Sequence, residues 1–408
     1  MGTLVLAGAF SRSLINTAYA LLFLWGLALL GRAVLNRNPS HLIRTALPPT
    51  RWAIGLATFA LAWFIATLAG GSPVVGLKEL AMYLYLLALP FLAWAVFNQR
   101  PDLPARLPFL WGLGLIVAAM LTFREGGYQL ICLRAKAYLG VIELGSVLGQ
   151  LVPIMLAALL ANFLTGCRKK TVFFALALAA ACLALAQNCS RQALLAVPLL
   201  SLLMLFAYRR HFSHATRRIL IVLASLVILL PLIVGGQRFF ETTVEFAPDP
   251  GEPVSIALSA SDNIRVTLWK HGLNTFLTHP VLGQGLGSGF NLELHPEEGE
   301  VLVSHTHQML IDVMAKTGIF GFLGFLALHL APLSLLWPHR HSQDPETFFW
   351  VWAALAVSLQ LLLNGLTDQI FGLKPMMYIH WTVIAAALWQ THRSQKEVPY
   401  CCNQSYPN

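Results

Sequence analysis

Three groups of residues in this chain are of types that can do acid–base or anion chemistry, and each lies beside a long apolar segment. His305 and His307 form a His-x-His pair in VLVSHTHQMLIDVMAKTGIFGF, ahead of a short amphipathic run and of Gly318, which opens an apolar helix. An imidazole can take a proton near neutral pH, which is what an alcohol nucleophile requires of its general base. His307 therefore reads either as a base or as a structural imidazole. On a strand the His-x-His spacing would also suit a metal, whereas on a helix the two side chains diverge by about 200°. No Cys or Asp-x-Asp cluster nearby completes such a site, so no metal is expected.

Arg191, in AQNCSRQALLAVPL, stands at the mouth of an apolar segment, and Arg265 heads the helical stretch SASDNIRVTLWKHGL. A guanidinium presents a rigid fork of donors that matches phosphate oxygens and keeps its charge. The two arginines could grip one diphosphate, and such a clamp would favour a leaving group whose charge grows in the transition state. The plainer readings are an interfacial arginine snorkelling to lipid phosphate for Arg191 and a surface ion pair with Asp262 for Arg265. Arg124, Arg134 and Lys136 could extend a basic vestibule or be solvated charges. Glu297, Glu298 and Glu300 read as a solvated face. His305 and Gln308, on either side of His307, are further candidates for substrate contact.

The elements that must position these groups are membrane helices. With 57% apolar residues, 11% charged residues and a mean hydropathy of +0.66, the chain carries more apolar surface than a soluble protein of 408 residues could bury. A spanning helix needs roughly 20 mainly apolar residues. Segments of that kind fall near 14–35, 52–69, 79–97, 107–123, 141–164, 171–189, 192–208, 219–236, 318–337, 347–363 and 375–390. Arginine and lysine concentrate on one side, in Arg37, Arg44 and Arg51, in Arg168, Lys169 and Lys170, and in Arg209, Arg210, Arg217 and Arg218. That side is cytoplasmic by the positive-inside rule, and the polar interval after the eighth segment faces outward. Eleven spans with a cytoplasmic C-terminus leave the N-terminus outside with no cleavable signal ahead of Ser13, so the expectation is about 11–12 spans. The net charge of +9 follows from this topology and does not indicate nucleic-acid binding.

The expected fold is an all-α polytopic membrane protein with one long helical periplasmic loop. Residues 1–236 hold the N-terminal spans, 237–317 the outer loop with short helices, 318–393 the C-terminal spans and 394–408 a cytoplasmic tail. Within the loop, prolines and Gly251 punctuate 241–263. Asp262 is the expected N-cap of a helix from Ile264 to about Leu277, with Ile264, Leu268, Leu273 and Phe276 on its apolar face. The glycines of HPVLGQGLGSGF read as a tight loop allowing close backbone approach, because a dinucleotide fingerprint would need a βαβ unit. Cys132, Cys167, Cys182, Cys189, Cys401 and Cys402 show no C-x-x-C spacing, although Cys132 and Cys189 could bridge.

In this order, Ser190-Arg191-Gln192, then Arg265, Trp269 and HPVLGQG, then His307, Gln308, Leu310 and Gly318 resemble the motifs of the O-antigen ligase and polymerase superfamily of bacterial envelopes. The resemblance covers about 185–335, with Gln308 in place of the usual Asn; the first half matches in hydropathy only. It implies twelve spans with both termini inside and a metal-independent, cofactor-free inverting glycosyltransferase of the inner membrane whose site faces the periplasm. The implied donor is a glycan on undecaprenyl diphosphate, held by Arg191 and Arg265. His307 would activate a sugar hydroxyl of the lipid A-core acceptor. A ligase is expected, since one outer loop dominates and the chain lacks a long C-terminal domain. A polymerase or a protein O-oligosaccharyltransferase would use the same donor. A lipid or solute transporter is the reading from another class, but its binding groups would sit near the midplane on broken helices.

Overall fold

The computed structural model describes residues 49–126, 141–188, 190–212, 260–295, 299–368 and 371–397, with Leu24, Trp25, Ala28 and Ser225 as isolated helical residues. In chain order the helices are α1 (Thr50–Ala69), α2 (Pro73–Gln99), α3 (Leu103–Gly126), α4 (Val141–Leu164), α5 (Arg168–Asn188) and α6 (Arg191–Tyr208). Next come α7 (Ala260–Thr278), the strands β1 (Phe290–His295) and β2 (Gly299–Val303), then α8 (Met309–Leu336), α9 (Pro345–Gly365) and α10 (Lys374–Glu397).

Among the described residues eight helices, α1 to α6, α8 and α9, are long and apolar enough to cross a membrane. They coincide with the expected spans two to seven, nine and ten. Apart from Leu24, Trp25, Ala28 and Ser225, the expected segments 14–35 and 219–236 lie outside the described residues. The last expected segment is helical, as α10, but is not one of the eight. The polytopic all-α class holds.

Local chemistry explains several boundaries. Pro73 and Pro345 open α2 and α9 at positions whose N–H would have no helical partner. Asp344 caps α9 by accepting from the backbone N–H of Thr347 at 2.9 Å. Helices α1 and α8 lie backbone to backbone, because Gly55 faces Ala327 and Ala331 while Gly324 faces Phe59 and Ala62. Small residues at such crossings let membrane helices pack where no hydrophobic drive separates lipid from protein. The Trp63 indole donates to the Gly321 carbonyl at 3.0 Å across this seam. Phe59, Trp63, Tyr83, Phe325 and Phe371 pack around it. On the other side of the bundle α4 is enclosed by α5, α6 and α9, and Gly149 lets the Gln360 side chain reach the Ser146 carbonyl at 3.2 Å.

Two expectations for the outer loop are corrected. The helix begins at Ala260, ahead of Asp262, so that residue lies inside it and is not its N-cap. Its buried face is Leu268, Gly272 and Thr275, whereas Leu273 is exposed. β1 and β2 pair antiparallel, Phe290 with Val303 and Leu292 with Val301, where only short helices were expected. The alternation FNLELH carries the two-residue period of a strand.

Candidate active site

The chain leaves β2 and enters α8 through Ser304–Gln308, a turn in which His307 adopts φ of +54°, a conformation uncommon for any residue but glycine. Several contacts hold it. The backbone N–H of Thr306 donates to Asp312 Oδ1 at 3.1 Å, and the Thr306 hydroxyl donates to the Gln308 carbonyl at 2.9 Å. The Gln308 side chain caps α8 by accepting from the Ile311 N–H. Gly272 of α7 lies directly against the side chains of Thr306 and Ile311, leaving no room there for a Cβ.

So placed, His307 Nδ1 lies 3.0 Å from Oδ1 of Asp368, which follows α9 and is anchored there by donating its N–H to the Asn364 carbonyl. The imidazole is one-third exposed and the carboxylate is 7% exposed, so the pair has a wet side and a dry side. The other carboxylate oxygen accepts from Gln192 Nε2 at 3.4 Å. A carboxylate at Nδ1 favours the tautomer with its proton on that nitrogen, leaves Nε2 as the acceptor and stabilises the imidazolium that forms when Nε2 takes a proton.

The His305 ring lies beside that of His307, with centroids 4.3 Å apart, and its Nδ1 is 2.8 Å from the Ser304 hydroxyl. Burial, and then the neighbouring His307, push its pKa below the ordinary value, so it is neutral at pH 7. His305, His307 and Asp368 can each present one ligand atom within 4.8 Å of the others. Two imidazoles and a carboxylate are a donor set that a divalent transition metal accepts. The third donor is not in the neighbouring sequence; it comes from beyond α9.

Arg191 opens α6, so its backbone is adjacent to Gln192 and thereby to the carboxylate that holds His307. Its side chain lies outside the described atoms. Arg265 is half-buried on α7, two turns before Gly272 on the same helical face, roughly 10 Å along the axis from the contact with Thr306. Arg124 is exposed near the C-terminal end of α3, which packs on α4 and α5. Arg134 and Lys136, like Cys132 and Cys189, lie outside the described residues.

The glycine-rich loop has the close-approach role its sequence suggests. Gly318 interrupts α8 with φ of +61°, and the segment 280–285 fills the break. Before the break, the carbonyls of Ala315 and Lys316 accept from Gln284 and Gly285; after it, the amides of Ile319 and Phe320 donate to Pro280 and Val281. The backbone groups freed by the interruption are thus satisfied in place. A Cβ on Gly318 would lie 2.3 Å from the Val281 oxygen, and one on Gly283 2.4 Å from the Lys316 carbonyl carbon.

The sequence reading missed Asp368, gave Gln192 no contact of its own, and missed an ionic trio of the buried Asp312 and Lys316 with the partly exposed Glu79. The i, i+4 spacing of Asp312 and Lys316 in the amphipathic run was the visible signal for part of the trio.

Residues 174–326 match the family model described as O-antigen ligase. The matched stretch contains Arg191, Arg265, the HPVLGQG loop, His307 and Gly318, and the resemblance to the O-antigen ligase and polymerase superfamily rests on it. Asp368 and Glu79 fall outside it. No curated protein matches the chain.

Proposed function

Starting from the O-antigen ligase match over residues 174–326, we propose that the protein is an inverting glycosyltransferase that moves a glycan from undecaprenyl diphosphate to a sugar hydroxyl of lipid A-core. The reaction takes place at the periplasmic face of the inner membrane. The observation that carries the reading is the 3.0 Å pairing of His307 Nδ1 with Asp368, beside the residue that follows Arg191.

In this scheme His307 Nε2 takes the proton of the acceptor hydroxyl as its oxygen attacks the anomeric carbon. The bond from that carbon to the diphosphate oxygen breaks, and undecaprenyl diphosphate leaves with the electron pair. Asp368 stabilises the imidazolium. Arg191 and Arg265 bind the diphosphate, offsetting the charge that grows on it. The buried Trp269 indole N–H, one turn beyond Arg265 and without a hydrogen-bond partner among the described residues, is a third donor suited to the same group. No step calls for a metal.

The test is transfer by purified protein in detergent from lipid-linked glycan to rough lipopolysaccharide. A base contributes about 10²- to 10⁴-fold, so His307→Ala should lower kcat by that factor without loss of folded protein. Full activity in the variant would remove His307 from the mechanism. Extension of the lipid-linked glycan itself, with no product on lipopolysaccharide, would mark a polymerase; turnover without a bilayer excludes pure transport. The ligand geometry of His305, His307 and Asp368 supports a second, metal-dependent reading. Loss of turnover in chelator and its return with a divalent cation would select that reading over the first.

A further inference from the structure

We infer that Asp312 is a positioning residue for His307, acting through the backbone of Thr306 and itself fixed by Lys316 and Glu79; this rests on the reading of His307 as the base. Asp312 is 1% exposed, and Lys316 Nζ bridges its Oδ2 at 3.3 Å and Glu79 Oε1 at 3.4 Å. The trio does not end in itself. Glu79 Oε2 accepts from the backbone N–H of Gly287 at 2.8 Å, and Oε1 accepts from the Tyr83 hydroxyl at 3.4 Å. Asp312 Oδ1 accepts from Thr306 N–H. One connected set of charges, buried at Asp312 and Lys316 and partly exposed at Glu79, therefore joins α2, the glycine-rich loop, the first half of α8 and the residue preceding His307.

A buried ion network is a poor stabiliser on its own, because desolvation of the charges offsets their attraction. What this one adds is direction. His307 occupies a left-handed backbone conformation that persists only when its surroundings determine it, and the amide one residue earlier is held by Asp312. Because Lys316 and Glu79 tie Asp312 to α2, the turn takes its position from a membrane helix. Its other side is set by Asp368, on the segment that follows α9. The imidazole is thus fixed through its ring by one carboxylate and through its backbone by another.

Two triple variants isolate the bond. Glu79→Gln with Lys316→Met and Asp312→Asn removes all three charges yet leaves amide oxygens to accept from Gly287 and Thr306. Glu79→Gln with Lys316→Met and Asp312→Leu replaces that carboxamide by a side chain of similar size with no acceptor for Thr306. The first keeps the acceptor for Thr306 but loses the Lys316 bridges that fix it, so its kcat should fall by a few-fold at most. The second should lose on the order of 100-fold in kcat, the cost of a displacement near 1 Å, with the KM for lipid-linked donor little changed. In the same background Asp312→Ser, whose hydroxyl is too short to reach the Thr306 amide, repeats the comparison should the leucine variant not fold.

Acylation of His307 by diethyl pyrocarbonate, followed by peptide mass spectrometry, gives a readout that needs no substrate. It should be faster in the second variant than in the first. Equal acylation rates in the two, equal kcat, or a loss confined to KM would overturn the inference. Unequal acylation together with no glycan transfer by the wild type would uphold the positioning role and reject the proposed reaction instead.

Discussion

Replacing Asp368 with Asn removes one charge and one acceptor from a site built around both. The donors to the carboxylate include His307 Nδ1–H at 3.0 Å and Gln192 Nε2 at 3.4 Å, one on each oxygen, while a carboxamide has a single oxygen. If that oxygen turns to His307, the tautomer survives and only the charge-assisted part of the bond is lost. That part is about 1.5–3 kcal/mol, or roughly 10- to 100-fold in rate. If it turns to Gln192, an amide N–H faces Nδ1, the proton moves to Nε2 and the base is blocked; in hydrolases built on the same logic the wrong tautomer costs about 10⁴-fold. At 7% exposure little water can intervene to relieve the conflict. Initial rates of transfer at saturating donor should therefore fall by about 10- to 10⁴-fold in Asp368→Asn, according to which way the carboxamide turns. Adding Gln192→Met, which withdraws the competing donor, should recover part of the loss and bring the rate toward the smaller deficit. A kcat for Asp368→Asn within a few-fold of wild type would refute the assignment of the dyad. A double variant slower than Asp368→Asn alone would refute the competition on which the magnitude rests.

Arg191→Lys and Arg265→Lys keep the charge but not the fork, and each should lower kcat/KM for the lipid-linked donor by about 10- to 100-fold; unchanged steady-state constants would show that the diphosphate is held elsewhere. Gly318→Ala forces a side chain into a left-handed position and against the Val281 carbonyl, so it should destabilise the protein by about 2–5 kcal/mol. A thermal midpoint in detergent equal to that of wild type would show that the loop and the broken helix are not packed as described.

The spans were legible because hydrocarbon imposes one length and one composition on them, and each of the eight that qualify overlaps an expected segment. The segment expected to face outward was harder. Its strand β1 was readable in the alternation of FNLELH, but a chain made mostly of apolar helices invites helical readings of short polar stretches. The cap assigned to Asp262 failed for a related reason. An acidic residue in the first turn of a helix favours the helix dipole as much as an N-cap does, and from sequence the two positions look alike. The glycine loop was legible in kind but not in partner. Four glycines signal a close approach, and nothing in their order says that the neighbour is the break at Gly318.

His307, Arg191 and Arg265 could be picked out singly because each has a side chain whose chemistry is hard to explain in an apolar setting. Asp368 could not, since one acidic residue in the short segment NGLTDQIF reads as topological punctuation until the histidine 61 positions earlier is seen to meet it. Glu79, Asp312 and Lys316 were hidden because nothing in the sequence says that α2 meets the first half of α8. Yet burying them is costly unless each finds a partner, and the partners here are backbone amides of the two loops that shape the site. Charge kept at the dry end of a span is therefore evidence about the loop above it: the loop closes over the charge, and the charge fixes the loop.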